Sequence, residues 1–522
     1  MKTRILSAIL ILCLLISCAA CGKSANKDGV TDPVGTAPVI PTIPSNNTII
    51  PEAPPVDPDK VALTVNGTPI SAIELNYFYA DAITDYVNQY SQWISYILDV
   101  SKPLSQQYLD KDVTWAEQFL DSAISSAKNT YALYDAAKAA GHTLSKDAED
   151  ALTNLYDNMA SSIASYGYET VDQYLLDVYG EGSSFESYKS YCEVVLTASS
   201  YYNAYNQALL DSYTPEILRE FEGEEAYKYN SYTYYTYFLD AKRFADTESL
   251  QQAAKELSDA SNNTAEKLNT AIAKIEKQIA GDEDEDSDKQ YATAIENKDK
   301  MYSSINTSLQ EWLRDTVRVE GDIGAFPYYV TDSNDSKTLQ GYYIVLFQSV
   351  KDNQIPLANV RHILVAFEGG TYDKTTGETT YSETEKTKAK NEAQLIYDKW
   401  LSEEKTEASF AELAKQYTDD GNGDVGGIYN DVYPGQMVQT FNDWCFDQSR
   451  AVGDHALVET EYGYHIMFYS GASETTYRDF LSSTDKLAID METWQKALLE
   501  SATLETIDTS AVNIHYIIYS GN

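Results

Sequence analysis

Histidine and cysteine are scarce in this 522-residue chain: there are 5 of each, and Cys13, Cys18 and Cys21 lie at its very start. No two histidines stand four apart, and Cys18-x-x-Cys21 has no second pair downstream, so neither a zinc site nor a disulfide framework is expected. Cys192 and Cys445 sit in helical apolar patterns, where a lone cysteine behaves as a small core hydrophobe. Basic residues are also few: 38 Lys and Arg stand against 80 Asp and Glu, a formal net charge of −42. A surface this acidic repels phosphate backbones and no basic stripe offsets it, which argues against nucleic acid as a partner. The apolar run from Ile5 to Ile16 is too short to span a bilayer. Tyrosine, by contrast, is abundant, with 43 residues.

The run from Ile5 to Ile16 follows Lys2 and Arg4 and precedes small residues, the pattern of an export signal. Leu15-Ile16-Ser17-Cys18 fits the lipobox of bacterial lipoproteins, and Cys18-Ala19-Ala20-Cys21-Gly22 is a competing fit. Residues 1–21 are therefore read as a lipoprotein signal peptide ending in a lipid-anchor cysteine, Cys21 or Cys18, on the extracytoplasmic face of a membrane. Residues 22–59 hold eight of the fourteen prolines and cannot form a core. As an extended tether at about 3.1 Å per residue, they would reach on the order of 100 Å.

From residue 60 to 225 the pattern is helical after a short opening strand, Val61 to Val65, and an Asn66-Gly67 turn. Helices are expected over 71–92, 113–140, 147–165, 170–179, 184–211 and 215–225. Thr170 with Gln173 and Ser184 with its neighbours Ser183 and Glu186 supply start signals, and Thr214-Pro215 puts proline at a first helical position. The opening Val65-Asn66-Gly67-Thr68-Pro69-Ile70, then Gly141-His142-Thr143-Leu144-Ser145, Tyr166-Gly167-Tyr168-Glu169-Thr170 and Thr214-Pro215-Glu216 resemble in order and spacing the N-terminal chaperone domain of PrsA and SurA foldases.

The second half contains a repeat. Trp312 stands nine residues before Gly321-Asp322, and Trp444 nine before Gly453-Asp454. Each copy then enters a strand, Gly341 to Phe347 and Gly463 to Tyr469, and each opens on one, Tyr232 to Leu239 and Val360 to Phe367. Two copies of one α/β domain, 226–352 and 355–472, are the economical reading, followed by a C-terminal helix and strand over 473–522. The acidic run Gly281 to Asp288 lacks the glycine at position six and the glutamate at position twelve of a calcium loop, and reads as a solvated linker.

The later copy resembles the parvulin (PpiC-type rotamase) family over its whole length. Arg361-His362-Ile363-Leu364-Val365 matches the first strand, Ser409-Phe410-Ala411-Glu412 the start of a helix running to Tyr417, then come Thr418-Asp419-Asp420 and Gly423-Asp424-Val425-Gly426-Gly427. Gly435-Gln436-Met437-Val438 precedes Phe441, and Tyr462-Gly463-Tyr464-His465-Ile466 matches the last strand. The resemblance implies a multidomain α+β protein: a helical SurA/PrsA-like chaperone domain, a degenerate parvulin-like domain and a working peptidyl-prolyl cis–trans isomerase. It implies that Met437 and Phe441, with Val425, form the proline pocket. His362 and His465 would pair beneath the substrate amide, Thr460 would complete their network, and Asp420 would lie near the substrate carbonyl. No cofactor and no metal are implied. His142, His455 and His515 read as satisfied core histidines.

The chemistry suits those residue types. Rotation about a prolyl bond faces a barrier of about 18–20 kcal/mol because leaving planarity sacrifices amide resonance. No bond breaks, so a site need only grip the ring, exclude water and favour the twisted amide. Phosphate-directed parvulins carry a basic cluster after the first strand, whereas Glu368 to Thr384 offers Lys374 alone, so phosphoserine-proline preference is not expected. Glu459 and Tyr462 also depart from the family's small or apolar rim. In the earlier copy, spacing aligns Tyr234 and Tyr343 with the two histidines and Ile305 and Leu309 with Met437 and Phe441, and the Gly-Asp-x-Gly loop is missing. Expected partners are unfolded exported polypeptides containing X-Pro bonds, bound by the helical domain with the C-terminal helix near 484–500, where tyrosine suits a half-apolar surface. Homodimerisation through the N-terminal domain is left open, no residue being singled out for it. The competing reading is an ATP-independent holdase with vestigial isomerase activity. A solute-binding lipoprotein would need two larger lobes.

Overall fold

The computed structural model describes residues 57, 59–90, 93–99, 102–164, 167–259, 264–281, 290–333, 335–375, 377–510 and 512. The expected signal segment, Cys18 and Cys21, nearly all of the tether, most of the acidic run and His515 lie outside them. The chain divides into two compact units, one running to Ser212 and resuming at Leu487, the other Tyr213–Lys486.

In the first unit, β1 (Val61–Val65) and β2 (Thr68–Ser71) form a hairpin whose turn residues, Asn66 and Gly67, have φ of 51° and 80°. Positive φ at both turn positions matches the twist of the flanking strands, which is why an Asn-Gly pair sits there. The third strand, Leu504–Thr506, pairs with β1 from the far end of the sequence. Helix Ala72–Gln89 starts where the Ser71 hydroxyl accepts the Glu74 N–H, and helix Trp115–Ala139 where Thr114 and Glu117 form a capping box. The expected helix over 147–165 is two, Lys146–Thr153 and Leu155–Ala164, interrupted at Asn154, whose side chain competes poorly for a helix interior. The helix at Ser184 is capped by its hydroxyl accepting from Ser187, not through Glu186. A helix-free stretch holds a short hairpin, β3 (Tyr108–Asp110) and β4 (Val113–Thr114). Some of the abundant tyrosine is core: Tyr77, Tyr79, Tyr174 and Tyr188 are at most 2% exposed, while Tyr96 and Tyr108 are 83% and 65% exposed. The Tyr77 ring meets those of Tyr179 and Tyr188 edge-on, and its hydroxyl bonds Ser187 at 2.8 Å.

The second unit contains two four-stranded antiparallel sheets. The first comprises β5 (Ser231–Asp240), β6 (Ile295–Met301), β7 (Ile323–Thr331) and β8 (Lys337–Lys351) in the order β6-β5-β8-β7. After β9 (Pro356–Ala366) and a small hairpin, β10 (Thr371–Tyr372) with β11 (Thr379–Thr380), come β12 (Ile428–Val432), β13 (His455–Glu459) and β14 (Gly463–Thr476), arranged β12-β9-β14-β13. Hairpin aside, both sheets follow the sequence second-first-fourth-third. One face of each is covered by two helices, Thr247–Ser258 with Ala265–Ala280 and Glu383–Ser402 with Glu407–Tyr417. A short helix covers the other, Thr307–Leu313 or Gln439–Cys445. With both faces covered, β14 is buried without interruption from Gly463 to Tyr469, so it lacks the in-out alternation of a half-exposed strand. Helix Glu407–Tyr417 is capped by Thr406, with Ser409 at its third position rather than at the start. The last helix, Tyr477–Ser501, begins earlier than expected and leads into both units.

Candidate active site

Three backbone devices place the site on the β9–β14 pair. Gly463, at φ 154°, lies against β9 so closely that a Cβ there would stand 2.2 Å from the Val365 carbonyl oxygen, which puts His465 opposite Leu364. Gly427, in the left-handed region at φ 69°, would likewise drive a Cβ to 2.2 Å from the His362 carbonyl oxygen, while its own carbonyl accepts the His362 N–H at 2.9 Å. The segment after helix Glu407–Tyr417 runs beside β9: the Thr418 hydroxyl accepts the Leu364 N–H at 3.0 Å and the Asp419 carboxylate the Ala366 N–H at 2.9 Å. Asp420 is thereby delivered next to His362. The loop is tied down by Arg361, which donates to the carbonyls of Val425 (3.2 Å) and Gly426 (2.9 Å) and through Nε to Glu407 (2.8 Å).

On this frame His362 and His465, 3% and 5% exposed, face each other with their Nδ1 atoms 3.0 Å apart. His362 Nε2 lies 2.9 Å from Asp420 Oδ2, and His465 Nε2 lies 2.9 Å from the Thr460 hydroxyl. Burial alone would raise the Asp420 carboxyl, but hydrogen bonds from His362 and Tyr429 prevail and hold it at about 2. Burial, then the neighbouring His362, push the His465 imidazole down to about 3, so it is neutral at physiological pH. An ionised carboxylate only accepts, so His362 donates through Nε2 and, when neutral, accepts at Nδ1 from His465. His465 Nε2 is then left to accept from Thr460. Every polar atom along the line has a partner, the condition under which a buried network is rigid.

The apolar half of the site leans on the same rings. Phe441, 2% exposed, meets His362 and His465 edge-on, at centroid distances of 5.5 and 5.4 Å. Met437 is half-buried against the core that includes Phe441 and Trp444. The structure thus brings together His362, His465, Asp420, Thr460, Phe441 and Met437. Val425 stands apart from that core, 59% exposed on the Gly423–Val425 turn, and Tyr462 is 48% exposed. Tyr429, which the sequence reading passed over, joins the group: its hydroxyl donates to Asp420 Oδ2 at 2.7 Å and its ring lies over His362. A tyrosine on the short strand that follows a Gly-Gly loop touching His362 was the available signal.

The counterpart in the first sheet differs. Gly341 repeats the device of Gly463, with φ 159° and a Cβ position 2.0 Å from the Leu239 oxygen. Tyr343 sits two residues on, as His465 does. The residue paired like His362, however, is Thr236, opposite Val345 as His362 is opposite Met467; the Tyr234 alignment from spacing is corrected, because the connection from this position to the tryptophan is shorter in the first copy, 76 residues to Trp312 against 82 to Trp444. Thr236 accepts from Asn297 at 3.0 Å, and Tyr343 packs on Phe238 and Tyr328. Ile305 and Leu309 are buried in the core under this sheet.

Of the other histidines, His142 bonds the Ser200 hydroxyl at 2.9 Å and His455 bonds Tyr397. Cys192 and Cys445 are buried free thiols, and burial raises that of Cys445 to about 12, which leaves it unreactive. Among the described residues no group of three His, Cys, Asp or Glu could hold a metal ion, and no helix is long and apolar enough to cross a membrane.

Residues 342–469 match the family model of the PPIC-type PPIase domain, a span that opens within β8 and closes within β14. No curated protein matches the chain. Among solved structures it is similar to the peptidylprolyl isomerase PrsA from Bacillus cereus, with 21% identity over 51% of this chain and 86% of that one, and a TM-score of 0.19. For PrsA from Bacillus anthracis the identity is 18% over 49% and 95%, again with a TM-score of 0.19.

Proposed function

We propose, from the premise that the chain carries a PPIC-type peptidyl-prolyl cis–trans isomerase domain, that the protein is a lipid-anchored, extracytoplasmic foldase acting on X-Pro bonds of exported polypeptides. The observation that carries the enzymatic part is the buried His362–His465 pair, held at its two ends by Asp420 and Thr460 and covered edge-on by Phe441. Phe441 and Met437 offer an apolar seat for a proline ring. A planar amide is strongly dipolar and water stabilises it, so a site that removes water lowers the cost of twisting. The network below keeps its polar atoms mutually satisfied and presents a fixed floor instead of mobile donors. Asp420, held anionic, disfavours a carbonyl oxygen carrying the full negative character of the planar form. The roles of His362 and His465 are mainly architectural.

The anchoring part rests on the lipobox fits ending at Cys18 and Cys21. The client part rests on the acidic charge balance, which disfavours nucleic acid, and on the resemblance of the N-terminal sequence to foldase chaperone domains. A protease-coupled assay on an Ala-Pro tetrapeptide tests the activity. The full chain is expected to accelerate isomerisation, and the Met437→Ala, Phe441→Ala double variant to lose at least tenfold in kcat/KM. Equal acceleration by both would overturn the pocket assignment, and none by either would leave only a chain-binding holdase.

A further inference from the structure

We propose that Tyr429 is a positioning residue of this site, fixing Asp420 so that the histidine pair keeps a single arrangement of protons; this rests on the isomerase reading above. The Tyr429 hydroxyl, 2.7 Å from Asp420 Oδ2, shares that oxygen with His362 Nε2 at 2.9 Å. Its ring also stacks on His362, with centroids 5.1 Å apart and planes 30° from parallel. One side chain therefore touches both partners of the Asp420–His362 bond and fixes the distance between them. Its own place is set by β12, where Tyr429 pairs with Val360 and Ile428 with Arg361, one residue beyond the Gly427–His362 link.

The consequence follows from donor counting. With Tyr429 and His362 both donating, Asp420 Oδ2 has its acceptor capacity filled and stays ionised, so the proton on His362 remains at Nε2 and Nδ1 is free to accept from His465. Without the hydroxyl, Asp420 loses one of its two side-chain donors, its carboxylate is free to turn away from His362, and the proton on His362 is no longer held at Nε2. The hydrogen bonds along the line to Thr460 could then run in either direction. The groups around Asp420 are few. His362 faces it from β9, with His465 of β14 behind, and Tyr429 faces it from β12. Asp419 is turned to the Ala366 N–H, Asp424 lies further along the loop, Arg361 is occupied by Glu407 and two loop carbonyls, and Lys415 of the preceding helix pairs with Glu412. No cation in this group takes over the role of the hydroxyl.

Tyr429→Phe in the full chain keeps the ring and its stacking and removes only the oxygen, so a purely packing role would leave it silent. Two quantities are measured beside wild type: kcat and KM on the Ala-Pro tetrapeptide, and the titration midpoint of the Asp420 carboxyl followed by carbon-13 NMR. The expected result is a fall in kcat of about fivefold with KM within twofold, and a midpoint about one pH unit higher. A midpoint unchanged by the substitution, or a kcat unchanged while the midpoint moves, overturns the proposal. Should wild type itself show no acceleration, the isomerase reading fails. The midpoint alone then decides whether Tyr429 fixes Asp420.

Discussion

Acidification should loosen the β9–β14 pair, and His465 sets by how much. The folded chain holds this imidazole down at about 3, because burial penalises its charged form, whereas an exposed imidazole takes its proton near 6.5. Above 6.5 neither state binds the proton and the folded state has its full stability. As pH falls below 6.5 the unfolded state gains a proton that the folded state refuses, so stability is lost progressively down to about pH 3. Between pH 7 and pH 5 this amounts to about 2 kcal/mol, or roughly a 30-fold increase in the opening equilibrium. Asp420 does not interfere in that window, since its carboxyl titrates well below pH 5 in both states. Hydrogen exchange of the amides in β9 and β14, corrected for intrinsic rates, reads the opening in the intact chain. His465→Asn removes the titratable ring, so its opening equilibrium should be displaced at both pH values while losing most of the wild-type change between them. If wild type and His465→Asn show the same 30-fold change, or if wild type shows none, the claim that a neutral His465 is locked inside the sheet is refuted.

Gly427→Ala should destabilise the second sheet by about 2–4 kcal/mol and abolish isomerisation. A left-handed alanine costs about 1–2 kcal/mol, and its Cβ would meet the His362 carbonyl at 2.2 Å, forcing β9 away; thermal unfolding and the tetrapeptide assay check this. Arg361→Met should release the 423–427 loop, with faster amide exchange there and a several-fold loss of kcat/KM, because charge-assisted bonds to two carbonyls and Glu407 disappear. Replacing both Cys18 and Cys21 by serine should abolish incorporation of radiolabelled palmitate in a bacterial host, and the single variants show which cysteine carries the lipid.

The sequence made much of the site legible because its residues sit at positions where few side chains are tolerated. His362 and His465 stand in strands, Gly427 and Gly463 occupy backbone positions with no room for a Cβ, and Phe441 follows a Gly-Gln-Met-Val run. Tyr429 was not legible, since an aromatic residue in a short strand reads as core until the distance to Asp420 is known. Thr236 was missed for a different reason: the connections between strand and tryptophan differ in length between the two copies, so counting from Trp312 landed on Tyr234, and only the strand pairing reveals the match. Helix starts were misjudged where two hydroxyls lie close together, as with Thr406 and Ser409, because each offers a cap and only local packing chooses. The pairing of β1 with Leu504–Thr506 joins residues more than 400 apart, far beyond any periodicity. Core and surface tyrosines were not distinguishable from the sequence: the Tyr77 hydroxyl is as well served by Ser187 inside the helical unit as that of an exposed tyrosine is by water.

The proposed isomerisation takes place at the apolar seat above the histidine pair. Two-dimensional exchange NMR of an Ala-Pro peptide with a catalytic amount of the full chain measures this without a coupling protease. Cross-peaks linking the cis and trans alanine resonances should appear within a mixing time of about one second, far faster than the uncatalysed interconversion of tens to hundreds of seconds. They should vanish when Met437 and Phe441 are both replaced by alanine. Their absence with the wild-type chain, or their persistence with the double variant, would contradict it.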